Sequence, residues 1–204
     1  MKKKVVILIS GSGTNMVSLI EATRQESYPA EIVAVVSDNP HASGIDKAKA
    51  LGIASYIIDR KNFIDKQAFE TALLEQIDAC CADIVCLAGF MRLISQHIIA
   101  PYNGRILNIH PALLPLFKGL HTHQRAIDAG VKISGCTVHL VTEGMDEGTI
   151  LGQAAVPVLD NDTPEMLGER VLLVEHQLYP ATLRRFIEGR REEEENPGQK
   201  IISF

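Results

Sequence analysis

The first half of the chain alternates short runs of apolar, β-favouring residues with longer stretches in which apolar positions recur three and four residues apart. The runs are residues 5–9, 32–36, 55–58 and 84–88; the spaced positions include Met16, Leu19 and Ile20, then Ala68, Ala72 and Leu73. Continuous runs belong to strands covered on both faces, and the wider spacing to helices with one buried face. Strand, turn, helix, strand is the order of parallel strands joined by crossover helices, with KVVILIS and DIVCLAG as interior strands.

After Pro101 the rhythm changes. Residues 105–109 predict a fifth strand, followed by a loop rich in Pro, Gly and His over 110–123. Two alternating runs, 133–141 and 150–158, flank the turn TEGMDEG and predict an antiparallel addition. Thr163 is placed to cap a long amphipathic helix, with Pro164 as its first residue and Glu165 a favourable charge in its first turn; the helix should end near Gly189. The whole pattern predicts an α/β fold, an open, mostly parallel Rossmann-like sheet with an antiparallel C-terminal addition and flanking helices. Residues 1–189 are expected to form one domain and 190–204, with EEEENPGQK, an acidic, mobile tail without chemistry of its own.

A chain of 204 residues, 46% hydrophobic and 22% charged, can bury a core, which excludes a disordered or collagen-like molecule. Its 20 basic against 25 acidic side chains leave a formal charge of −5, the wrong sign for holding nucleic acid or an anionic membrane by bulk electrostatics. The apolar run near the start is far shorter than the ~20 residues that span a bilayer, and no signal-peptide cleavage site follows it. A cytoplasmic protein is expected. Cys80, Cys81, Cys86 and Cys136 form no CxxC pair and are too uneven for a disulfide framework. They read as reduced core residues, with a redox pair at Cys80 and Cys81 as the alternative.

Candidate chemistry gathers at strand ends. Ser10-Gly11-Ser12-Gly13-Thr14-Asn15 lies where the first strand meets the first helix. Glycines there let the backbone approach a ligand, and the free N–H groups of a helix start favour an anion, so a phosphate is the natural guest. A plain tight turn is the alternative; a dinucleotide site fits less well, because Met16 replaces the third glycine of G-x-G-x-x-G. Asp38, after the second strand, reads either as a ribose ligand or as a turn residue of SDNP.

Asn108 and His110 stand two apart on the fifth strand, so an amide and an imidazole address one point on the same face. Asp146, in the turn between the alternating runs, can fold over His110 to pair with it or relay a proton, or can simply be solvated. His121 and His123 are two apart with no Cys nearby, and no HExxH occurs, so a metal-free site is expected. No G-x-S-x-G elbow and no GxxxxGK[ST] loop is present.

Taken in order, GSGTN, LAGFMRLIS, NIHPALLP, GLHTH and EGMDEG closely resemble the phosphoribosylglycinamide formyltransferase family, folate-dependent enzymes of purine synthesis, over residues 4–188. The resemblance implies transfer of a formyl group from 10-formyltetrahydrofolate, a co-substrate, to the amine of glycinamide ribonucleotide, without metal. It implies that Asn108 and protonated His110 stabilise an oxyanion, while Asp146, directly or through a water, moves protons and keeps His110 charged. Gly13, Thr14 and Asn15 would hold the acceptor phosphate, Gly11 and Ser12 would shape that loop, and Glu175 would bind the acceptor ribose. Met91, Arg92, Leu93 and Ile94 match the folate pocket, with Asn108 beside it. Thr142, Glu143, Gly144, Met145 and Asp146 match the loop that closes over the pterin. Lys66 stands where the family often has an Arg near the donor's glutamate tail. The loop Phe117-Lys118-Gly119 departs from the commoner pattern; Lys118 either adds positive potential near the acceptor or faces water.

The implied partners are small molecules, and the family contains monomers and homodimers. Three other readings compete. A formyltetrahydrofolate deformylase is expected to carry a regulatory domain ahead of the first strand and to lack GSGTN. A tRNA formyltransferase is expected to carry a basic C-terminal domain. A non-catalytic binding module would have no need of Asn108, His110 and Asp146 together.

Overall fold

A computed structural model describes residues 1–189, so the expected acidic tail lies outside the described residues. β1 (Lys3–Ile9) is fully buried from Val5 to Ile9, which is why its sequence is continuously apolar. Alternate residues serve opposite faces. Val5, Ile7 and Ile9 pack under α1 (Thr14–Thr23), α2 (Ser43–Ala50) and the long α6 (Pro164–Glu188), whereas Val6 and Leu8 pack under α3 (Lys66–Ala79) and the short α4 (Gln96–Ile99).

The remaining strands are β2 (Ala30–Ser37), β3 (Ser55–Ile57), β4 (Ile84–Leu87), β5 (Ile106–His110), β6 (Ile133–Leu140) and β7 (Ile150–Pro157), and α5 (Thr122–Asp128) precedes β6. They form one sheet in the order β3-β2-β1-β4-β5-β6-β7. Pairings from β3 through β5 are parallel, and β5–β6 and β6–β7 are antiparallel, so the predicted α/β architecture with its antiparallel addition is what the chain adopts. Progress along the sheet reverses between β1 and β4. That reversal opens a crevice at the strands' C-terminal ends, the usual ligand site of open α/β sheets.

Helix ends follow local chemistry. Thr163 caps α6 by accepting from the Met166 N–H at 3.3 Å, Pro164 opens the helix, and Gly189 closes it at φ 69°. Within α6 the Tyr179 hydroxyl sits between the carbonyls of Leu87 and Leu107, at 3.1 and 3.0 Å, tying the helix to the ends of β4 and β5. The cysteines divide: Cys86 and Cys136 are core residues, but Cys81 is exposed. The chain turns there at φ 51° just after α3, which carries Cys81 out of the packed layer and corrects the expectation that all four are core.

Candidate active site

Asn108 and His110 leave the C-terminal end of β5 on the same face, as their spacing predicts. The antiparallel register sets His139 of β6 opposite Asn108 and Thr137 opposite His110. His139 is 2% exposed. Its Nδ1 lies 2.9 Å from the Leu140 carbonyl, an acceptor only, so that nitrogen carries the proton. Nε2 then receives the Asn108 amide at 3.2 Å, and the second amide hydrogen of Asn108 stays available to a ligand.

His110 is also buried, with Nε2 3.0 Å from the Phe117 carbonyl and Nδ1 3.4 Å from Asp146 Oδ2. Both ring nitrogens face acceptors, an arrangement that an imidazolium satisfies. Asp146 is far from solvated. Oδ2 accepts the Gly119 N–H at 2.9 Å, and Oδ1 lies 3.6 Å from His139 Nε2. Burial pushes its carboxyl up, but the hydrogen bond from the Gly119 N–H and the charge of His110 outweigh burial and hold it below the usual aspartate value.

Among the described residues, four non-glycine residues have positive φ, and three of them, Phe117, His121 and Asp146, belong to the loops around this cluster. Such backbone costs of order 1–3 kcal/mol per residue and persists where surrounding bonds over-determine it. Here the Gly119–Asp146 bond and the Lys118–Glu147 ion pair, at 2.9 Å, join the two loops to each other. Lys118 is therefore paired with an acid.

A cavity of about 710 Å³ opens over the cluster. Asn108, His110 and Asp146 line it, as do Met91, Arg92, Leu93 and Ile94 from the segment after β4 and residues 142–145. Ile94 is buried, but Met91 and Leu93 are 64% and 60% exposed, which a core role alone does not explain. Asn15 and Glu175 line the same cavity and bond to each other, Asn15 Nδ2 to Glu175 Oε2 at 2.7 Å. Burial pushes the Glu175 carboxyl above the usual glutamate value while the Asn15 amide lowers it, and Asn15 Oδ1 is buried without a partner.

The rest of the glycine cradle stands beside this cavity, not in its lining. Gly11 and Ser12 are exposed, Gly13 takes φ 67°, and Thr14 lines a separate groove of about 610 Å³ with Lys47 and His176. α1 has no side-chain cap and no acid in its first turn, and its first closing bond runs from the Val17 N–H to the Gly13 carbonyl. The N–H groups ahead of it remain open to an anion.

A formyl transferase family model matches residues 3–183. The chain belongs to the formyl transferase family. It is 38% identical over 192 residues to phosphoribosylglycinamide formyltransferase of Escherichia coli, covering 94% of this chain and 91% of that protein. The crystal structure of phosphoribosylglycinamide formyltransferase from Brucella melitensis superposes with a TM-score of 0.89 at 60% identity, covering 94% and 98% of the two chains. Identity to the trifunctional purine biosynthetic protein adenosine-3 of Bos taurus is 47% over 188 residues, and the chain spans only 19% of that protein.

Three further residues take definite places around this site. Lys66 does not line the cavity; its Nζ lies 3.6 Å from Glu70 at the start of α3, where a buried acid draws it. Asp38, at the bend after β2, is 4% exposed and bonds Arg92 Nε at 2.6 Å. His139 carries no distinguishing spacing of its own. Only the β5–β6 register, set by hydrogen bonding across 31 residues of chain, brings it to Asn108.

Proposed function

We propose that the chain transfers a formyl group from 10-formyltetrahydrofolate to the amine of glycinamide ribonucleotide, yielding formylglycinamide ribonucleotide and tetrahydrofolate in purine biosynthesis. The observation that carries this reading is the convergence of Asn108, His110 and Asp146 on one cavity with Asn15 and Glu175. The names of the full-length relatives support the same acceptor. On this reading the 1–189 unit is the transfer domain, its partners are small molecules, and it works in the cytoplasm.

The amine nitrogen attacks the formyl carbon, and negative charge gathers on the formyl oxygen. Preorganised donors aimed at such an oxygen supply the largest part of catalysis in acyl-type transfers. Asn108 has one amide hydrogen left for it. The 3.4 Å between His110 and Asp146 is longer than an ordinary hydrogen bond, so the Nδ1–H is not fully committed and can reach the same oxygen. The attacking amine must then lose a proton and the folate nitrogen must gain one. With its carboxyl held below the usual value, Asp146 is a poor resting place for a proton and suits relay through water while it faces His110 Nδ1.

Binding follows from the flanking groups. The uncapped start of α1 suits the acceptor phosphate, while the Glu175 carboxylate and the unpartnered Asn15 Oδ1 are acceptors for sugar hydroxyls. Exposed Met91 and Leu93 offer apolar surface to a flat pterin. Purified protein given both substrates should deformylate the folate only when the acceptor is present. Formate release without acceptor would overturn the reading in favour of hydrolysis. His110→Ala should lower turnover roughly 10²–10⁴-fold with folding intact.

A further inference from the structure

Asp38 sits just past β2, outside the cavity lining, yet its side chain reaches a residue that belongs to it. Oδ2 accepts from Arg92 Nε at 2.6 Å, and Oδ1 is buried with no partner. A carboxylate buried on a single contact is costly. What the contact does is hold a guanidinium. Because Oδ1 is unused, the pair is not bidentate, and the two terminal nitrogens of Arg92 stay clear of Asp38. The Arg92 side chain is 49% exposed and faces the cavity.

The backbone beside Arg92 is fixed by a different residue. The Met91 N–H donates to Ser10 Oγ at 2.9 Å, and the Ser10 N–H donates to the Gly89 carbonyl at 3.1 Å. Ser10 therefore sets the path of the segment, and Asp38 sets only the direction of one side chain. A long cation free to rotate loses rotamer freedom when a ligand anion captures it; one already held at Nε loses less.

We propose that Asp38 is a positioning residue for the formyl donor: by gripping Nε it presents the terminal nitrogens of Arg92 to an anionic group of the bound ligand. The inference rests on the formyl-donor reading, since a folate carries carboxylates on the arm leading away from its pterin. Asp38 touches no substrate. It acts through Arg92 alone, and its effect belongs to donor binding rather than to the chemical step.

The test uses the full chain with Asp38→Ala and the isosteric Asp38→Asn, which keeps one neutral hydrogen bond should the alanine variant misfold. Donor KM should rise about tenfold in Asp38→Ala and less in Asp38→Asn, with kcat and acceptor KM within about twofold. Fluorescence titration with an unreactive folate analogue should show the same loss of affinity, and the analogue lacking its glutamate should bind both forms alike. In an Arg92→Ala background, Asp38→Ala should add no more than about twofold. Unchanged donor KM, or equal losses for the analogue without its glutamate, would overturn the role of Asp38 while leaving the transfer reading intact. Wild-type protein that neither transfers nor binds the analogue would overturn both.

Discussion

Glu175 is buried against Asn15, and burial raises its carboxyl above the ordinary glutamate value. A carboxyl that holds its proton more tightly in the folded chain supports the fold below the unfolded value and loses that support as pH rises through the folded one. Asp146 works in the opposite sense: its depressed value contributes stability above the unfolded value, lost as the medium is acidified. Glu175→Gln removes the first titration only. Its urea midpoint should therefore gain on that of the parent as pH rises from the ordinary glutamate value through the raised one, and a constant offset over that rise would contradict the burial argument. The same scale shows what a sequence exposes. Asn108 and His110 declare themselves because strand geometry places positions two apart on one face. His139 and Asp38 do not, because each acquires its meaning from a partner, 31 and 54 residues away, that only packing brings near.

At the scale of elements, continuous and alternating apolar runs separate the parallel strands from the antiparallel pair because burial on two faces or one is written directly into them. Ends shift by a residue where hydrogen bonding, not hydrophobicity, decides them: β5 runs Ile106–His110 instead of 105–109 because the β6 ladder extends as far as His110. Contacts between elements leave less trace. Gly44 in α2 donates its N–H to the Gly11 carbonyl at 3.1 Å, and a Cβ there would stand 2.6 Å from Ile9 Cδ1 and 3.0 Å from that carbonyl. The isoleucine tip can turn aside, but the Gly11 backbone must move by a few tenths of an ångström. Gly44→Ala should therefore disturb the cradle, raising acceptor KM several-fold and lowering stability by about 1 kcal/mol, with donor KM unchanged. Parallel rises in both KM values would show that the cradle is not the part displaced.

For the molecule as a whole, a formal charge of −5 argues against polyanions yet says little about small anionic ligands, because such ligands feel the few groups beside them. Those groups, the start of α1 and the Arg92 guanidinium, come from opposite sides of the sheet reversal between β1 and β4. The cavity is thus assembled from segments after β1, β4, β5 and β6 and from α6, and it exists only while the sheet is intact. A ligand that needs every one of those segments has no counterpart in the unfolded chain, so its binding energy becomes folding stability. An unreactive folate analogue at a hundred times its Kd should add about 2.7 kcal/mol. For a chain of this length that corresponds to a rise in Tm of roughly 5–10 °C. Acceptor nucleotide should add a comparable shift, and the two should sum, since on the proposed transfer reading the Asn15–Glu175 end and the segment around Met91 would hold different molecules. Calorimetric scans with each ligand alone and with both provide the check. A second ligand that adds nothing to the first would mean that both compete for one place, which is incompatible with a transfer reaction needing donor and acceptor side by side.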